Sequence, residues 1–249
     1  MEITAGRRSR AYVAEGAKVV IADVAKDEGQ ALADAGASVT LVARNPATLD
    51  EAVGRLQGAG WQAEGIALDI NDHAALQRAI VGRHFDILVN NAGTNRPKPL
   101  QEISQEDYAA VMDLNVKATY FLTQAVVAHM PAGGSVIHVS SQMGHVGAAN
   151  RTLYCASKAA VEGMTRAMAI ELGPRGIRVN TLCPTFVETP MTRPFLAEPG
   201  FKEQVIGKIP LGRLGQLEDL MGPVVFLASP AAALVTGSAL MVDGGWTAH

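Results

Sequence analysis

Cysteine is nearly absent: Cys155 and Cys183 are the only two in 249 residues. That is too few for a disulfide framework, and neither has metal-ligand partners at short spacing, so no metal site is expected. Long apolar runs are missing as well. None approaches the roughly eighteen residues needed to span a bilayer, and the amino-terminal stretch, although it carries Arg7, Arg8 and Arg10, lacks the apolar segment of a secretory signal. A cytoplasmic protein without membrane contact is expected. An excess of one charge is also lacking, because 21 Lys and Arg face 24 Asp and Glu for a net charge of -3. There is thus no basic footprint for nucleic acid or anionic lipid. Finally, there is no low-complexity run or Pro/Gly-rich linker. With 48% hydrophobic residues, the chain reads as one domain over residues 1–249 with a single sizeable core.

Present instead is an alternation of two periods. Short β-branched runs at 39–43, 62–68, 87–89, 136–139, 177–182 and 239–242 read as strands, separated by helical patterns at 47–56, 73–81, 105–130, 153–172 and 216–228. Strands spaced by helices imply an α/β fold with a parallel sheet. Asn45-Pro46 is a helix start, with a capping side chain followed by proline at the first helical position. The segment 191–211 is rich in Pro and Gly and lacks clear periodicity. We read a substrate lid over 186–211.

The first 35 residues depart from this order. A dinucleotide-binding chain should open with an apolar strand, a glycine-rich turn, and a helix whose amides hold the pyrophosphate. Here residues 4–10 offer only Thr-Ala-Gly-Arg-Arg-Ser-Arg. Two near-duplicate fragments come next: Gly16-Ala17-Lys18-Val19-Val20-Ile21-Ala22-Asp23 reads like a second strand, and Gly36-Ala37-Ser38-Val39-Thr40-Leu41-Val42-Ala43-Arg44 reads like it again twenty residues later. If residues 18–22 take the first-strand position and 26–35 the following helix, about seven strands are counted. The turn at 23–28 would still aim carboxylates towards the pyrophosphate, which is unfavourable.

The chemistry-bearing stretch is Tyr154-Cys155-Ala156-Ser157-Lys158, with Ser141 thirteen positions before the tyrosine. On a helix Tyr154 and Lys158 stand at i and i+4, so their polar ends can converge. A neighbouring ammonium would lower the phenol's pKa and make Tyr154 a usable acid and base. Ser141 follows the apolar run ending at Val139, so its hydroxyl should emerge at the carboxyl end of a strand, the edge where open α/β sheets bind ligands. A tyrosine four residues before a lysine is common on solvated helix faces, so the pair alone carries little. The whole constellation carries more: Asn90-Asn91-Ala92-Gly93 after an apolar run, Asn115 between Leu114 and Val116, and Val242-Asp243-Gly244-Gly245 fall in order around it.

Together these motifs resemble the short-chain dehydrogenase/reductase family from about residue 36 to the carboxyl terminus, with similarity to sugar and polyol dehydrogenases and to 3-oxoacyl-thioester reductases. The family's Thr-Gly-x-x-x-Gly-x-Gly loop is missing. The resemblance implies a Rossmann-type doubly wound sheet with helices on both faces and a single domain. It implies a catalytic set of Asn115, Ser141, Tyr154 and Lys158, with Asn115 supporting a water-linked proton path to Lys158. It also implies cofactor contacts from Asp69, from the backbone of Asn90, Ala92 and Gly93, from Tyr154 and Lys158, and from Thr189. For Asp69 a helix N-cap is the alternative role.

Cofactor choice turns on the end of the second strand, where a carboxylate suits NAD and an arginine the extra phosphate of NADP. Asp23 ends the first copy and Arg44 the second. Arg44 lies at the expected distance from Asn90, so NADP is expected, with NAD as the alternative. The implied reaction interconverts a secondary alcohol and a ketone. Gln142, His145, Asn150, Arg151 and Arg193 suggest a polar mouth for a sugar, polyol or sugar acid, with a 3-oxoacyl thioester as the alternative substrate. A cofactor-deficient homologue with only a role in assembly is the alternative of another class, suggested by the missing loop. The family's long helices commonly pack across two-fold axes, implying a homotetramer or homodimer.

Overall fold

The computed structural model describes residues 17–22, 31–189 and 192–248. The segments at 4–10 and 23–28, Asp23 included, lie outside the described residues. Among those described, seven strands occur: β1 at Lys18–Ala22, β2 at Ser38–Ala43, β3 at Ala63–Ala67, β4 at Ile87–Asn90, β5 at Ser135–Val139, β6 at Arg178–Pro184 and β7 at Ala239–Val242. All pair in parallel, in the order β3-β2-β1-β4-β5-β6-β7. The first apolar copy therefore takes the central first-strand place. The two copies lie side by side, Lys18 against Ser38, Val19 against Val39 and Ile21 against Leu41, so their twenty-residue offset in sequence is their register in the sheet.

β1 is buried on both faces. Val19 and Ile21 join one apolar cluster with Val39, Leu41, Leu49 and Val224, while Val20 and Ala22 point into another with Leu88, Leu122 and Val136. A strand covered on both sides needs an unbroken apolar run rather than alternation, which is what residues 19–22 supply. Each fully buried Val or Ile contributes roughly 1.5–3 kcal/mol, so the centre of the sheet is well anchored.

The covering helices are α1 at Pro46–Gly58, α2 at His73–Ile80, α3 at Gln105–Met112, α4 at Thr119–Val127, α5 at Thr152–Leu172, α6 at Arg193–Leu196, α7 at Phe201–Ile206 and α8 at Glu218–Ala228. Asn45 caps α1 as expected, its Oδ1 accepting from the amide of Ala47 at 2.9 Å, with Pro46 in the first turn. The single helix expected over 105–130 is instead interrupted by a π-helical turn at Asp113–Ala118. Its cause is tertiary, because Asn115 within that turn is held by Thr94 and Ser157. The segment at 193–206 forms two short helices, too short to display a helical period in sequence. Among the described residues no helix is long and apolar enough to cross a membrane.

The strand order reverses between β1 and β4. Their carboxyl ends, with that of β5, open the crevice where ligands of such sheets bind.

Candidate active site

β5 ends at Val139, and the chain continues through Ser140 into a short turn at Gln142–Gly144 that Ser141 caps. The Ser141 hydroxyl accepts from the Met143 amide at 3.1 Å and donates to Gln142 Oε1 at 2.6 Å. Opposite it runs the first part of α5, with Tyr154 and Lys158 one turn apart. Gly144 permits the close approach: a Cβ there would stand 3.2 Å from the Lys158 carbonyl carbon. Lys158 is buried and donates from Nζ to the Val139 carbonyl at 2.8 Å, tying α5 to the end of β5. The structure thus brings Ser141, Tyr154 and Lys158 together at the sheet edge, as their spacing suggests.

The electrostatics differ from the expectation. Burial pushes the Tyr154 phenol above its ordinary range, opposed by the neighbouring Ser141 hydroxyl and the Arg151 charge. Lys158 does not depress it here. The ammonium is spent on the Val139 carbonyl and lies 5.6 Å from the centroid of the tyrosine ring. Burial in turn lowers Lys158 to about 8, with Cys183 and Glu162 acting to raise it. In this arrangement Tyr154 is a neutral phenol at neutral pH, a proton donor rather than a resting base.

Asn115 is fully buried in the π turn. Its Oδ1 accepts from the Thr94 amide at 2.8 Å, and its Nδ2 donates to the Thr94 carbonyl at 2.9 Å and the Ser157 hydroxyl at 3.0 Å. Those bonds anchor the 92–94 segment to α5. Gly93 is the meeting point: a Cβ built on it would lie 3.4 Å from Asn115 Oδ1 and 3.7 Å from Lys158 Nζ. The missing side chain leaves the space beside Asn115 and Lys158 open.

Several residues expected to contact the cofactor lie at neighbouring strand ends. A cavity of about 110 Å³ is walled by Arg44 after β2, Leu68 and Ile70 after β3, Ala92 and Gly93 after β4, and Leu114. Arg44 and Asp69 face each other at 4.0 Å, both well exposed, an ion pair of little net worth. Asp69 does not cap α2; that role belongs to Asp72, which accepts from the Ala75 amide at 2.9 Å, while Asp69 Oδ1 accepts from Asn71. Asn90 turns its side chain inwards, donating to the Thr123 hydroxyl at 3.0 Å. Its backbone is what remains near the crevice, as the resemblance implies. Thr189 sits just before α6 and hydrogen-bonds to Thr192, whose Oγ1 accepts from its amide at 2.9 Å. Those bonds hold the start of α6 rather than the crevice. The open strand ends at Arg44, Ala92 and Gly93 fit a nucleotide cofactor; residues 23–28 lie outside the described residues.

A larger cavity of about 470 Å³ lies between the Ser141 turn, the start of α5 and the short helices α6 and α7, with Met143, Asn150, Arg151, Phe195, Lys208 and Trp246 in its wall. Arg151 is buried, its guanidinium 5.3 Å from the Phe195 ring centroid, and the Lys208 ammonium lies 5.5 Å from that of Trp246. Of the polar mouth expected from sequence, Asn150 and Arg151 line this cavity. His145 points elsewhere, towards Glu162 and Cys183. Lys208 and Trp246 were not singled out by the sequence, although Lys208 falls within the stretch read as a lid.

A family model described as enoyl-(acyl carrier protein) reductase matches residues 25–247. The chain is 35% identical over 243 residues to a gluconate 5-dehydrogenase of Gluconobacter oxydans, covering 93% of this chain and 95% of that protein. It is 37% identical over 242 residues to a 3-oxoacyl-[acyl-carrier-protein] reductase of Thermotoga maritima, covering 94% and 89%. Its structure superimposes on a gluconate 5-dehydrogenase of Burkholderia cenocepacia in complex with NADP and tartrate, with a TM-score of 0.89, 30% identity, and coverage of 94% of this chain and 96% of that one.

Proposed function

Because the chain belongs to the short-chain dehydrogenase/reductase family, we propose that it is an NADP-dependent oxidoreductase interconverting a secondary alcohol and a ketone on a sugar acid, sugar or polyol. The observation that carries this reading is the convergence of Ser141, Tyr154 and Lys158 at the sheet edge, beside a cavity holding the Arg151 and Lys208 cations. A nicotinamide bound there would supply or accept the hydride. The chain's own residues handle the proton and the charge. Tyr154 gives its phenolic proton to the substrate oxygen in reduction and, as tyrosinate, removes it in oxidation. Burial favours the phenol, the form that donates in the reductive direction. Ser141 donates a hydrogen bond to the same oxygen and stabilises charge developing there.

Lys158 holds a positive charge behind the tyrosine, and Asn115 fixes the 92–94 segment against α5, supporting a proton path to Lys158. Arg44, whose exposed contact with Asp69 is weak, is the residue we assign to the extra phosphate of NADP in a two-pronged contact; NAD is the alternative. Asp69, the backbone of Asn90, Ala92 and Gly93, and Thr189 complete the contacts we assign to the cofactor. Arg151 and Lys208 suit a substrate carboxylate, in keeping with the relative that holds NADP and tartrate. The aromatic part of the same wall, Phe186, Phe201 and Trp246, favours 3-oxoacyl thioesters as a second reading.

The whole chain forms one domain in this reading, with 186–211 as the lid, and the protein is a cytoplasmic homotetramer or homodimer. Exposed Tyr108, Tyr120 and Phe121 on α3 and α4, and Ile170 on α5, support helix pairing between copies. The test of substrate class is NADPH consumption across keto sugar acids, neutral ketoses and 3-oxoacyl thioesters. Keto sugar acids should turn over, and Arg151→Ala should raise their KM about tenfold or more, the scale of a lost charge-assisted hydrogen bond, with little change for neutral ketoses. Turnover confined to 3-oxoacyl thioesters would replace this reading with the second.

A further inference from the structure

Behind the catalytic helix, three side chains far apart in sequence close into a compact cluster. His145 from the turn after β5, Glu162 from α5 and Cys183 near the end of β6 place one ligand atom each within 4.8 Å of one another. Cys183 Sγ lies 3.3 Å from Glu162 Oε1 and 3.7 Å from His145 Nε2, and the remaining Nε2 to Oε1 separation is 3.5 Å. Zinc bonds of about 2.0–2.1 Å to nitrogen and oxygen and about 2.3 Å to sulfur, at tetrahedral angles, require ligand-to-ligand edges of about 3.4–3.6 Å. The cluster's three edges, 3.3, 3.7 and 3.5 Å, fall within about 0.3 Å of those values.

We propose that His145, Glu162 and Cys183 form a divalent transition-metal site suited to zinc. Thiolate, imidazole and carboxylate are the donors that zinc takes, and three protein ligands leave a fourth position for water. The carboxylate is oriented from outside the cluster, because its second oxygen, Oε2, accepts from the Thr181 hydroxyl at 3.0 Å, the outer support that metal-binding carboxylates have. Glu162 and Cys183 are buried, while the His145 side chain is 31% exposed and gives the ion an entry. On binding, the Cys183 S–H bond breaks and its proton leaves to solvent as the metal–sulfur bond forms. Thiolate and carboxylate then neutralise the dication with no change of oxidation state. The site would clamp the Ser141 turn, α5 and β6 to one another, one helical turn beyond Lys158.

Cobalt(II) titration of the purified protein, followed by absorbance, tests this. A thiolate-to-cobalt charge-transfer band should saturate at one equivalent and be displaced by zinc. It should vanish in Cys183→Ser, persist in Cys155→Ser, and saturate at cobalt concentrations at least about tenfold higher in His145→Ala. His145→Ala, at a partly exposed position, carries the same test should Cys183→Ser fail to fold. Absence of a saturable band in the unaltered protein, or a band that follows Cys155 instead, overturns the site.

Discussion

At Tyr154 burial and hydrogen bonding pull in opposite directions. Burial raises the phenol's pKa while Ser141 and Arg151 lower it, and burial prevails. The proton therefore stays on the oxygen until substrate and cofactor change the surroundings. Tyr154→Phe removes that proton and little else, so kcat should fall by at least about a hundredfold with NADPH affinity unchanged, as read by steady-state rates beside a fluorescence titration. Retained turnover would remove Tyr154 from the chemistry. Lys158 yields a second prediction. Its folded pKa, about 8, lies below its ordinary 10.5, so between those values the unfolded chain binds more protons and stability due to this group rises with pH. Below pH 8 the buried ammonium carries its full penalty. Denaturant melts of the wild type and Lys158→Met, which cannot titrate, should differ most in the variant's favour below pH 8, with the difference shrinking towards pH 10.5; a constant difference would contradict the burial account.

Among the elements, the turn after β7 shows how a glycine fixes geometry. Gly244 follows β7 with φ of 63°, and a Cβ on it would stand 2.5 Å from Ile209 Cγ2. Gly244→Ala combines left-handed strain with overpacking, and should cost roughly 2–4 kcal/mol, read as a lower urea midpoint with unchanged slope. Gly147→Ala, with nothing within 4 Å, should shift stability by no more than about 0.5 kcal/mol. β1 and β4 were legible because they are buried on both faces and appear as apolar runs, whereas β5 and β6 were legible from their β-branched residues although they bury Ser135, His138, Arg178, Asn180 and Thr181. The π turn at Asp113–Ala118 was not legible, since no proline or glycine marks it and the bonds that hold it come from Thr94 and Ser157. The duplicated fragments were legible as strands, and both are interior strands that pair side by side.

Across the whole molecule, sites drawn from one or two neighbouring segments could be read from sequence, and sites assembled by the fold could not. Ser141, Tyr154 and Lys158 flank a single strand-to-helix connection and reveal themselves by spacing. Arg44, Asp69 and Gly93 each end a strand, so counting strands places them along one edge. His145, Glu162 and Cys183 meet only because β5, α5 and β6 pack together, and no local pattern announces it. The same holds for Lys208, which the lid brings to Trp246. The missing glycine loop acts at this scale too, because hydride transfer needs the nicotinamide held by the entire strand edge, and an intact tyrosine cannot compensate for a cofactor that does not bind. The central claim is thus best tested by titrating the full chain with NADPH and NADH while following nicotinamide fluorescence. Saturable NADPH binding, tighter than NADH and with the preference reversed in Arg44→Asp, is the predicted result; absence of saturable binding to either nucleotide would contradict the account and leave a homologue with only a role in assembly.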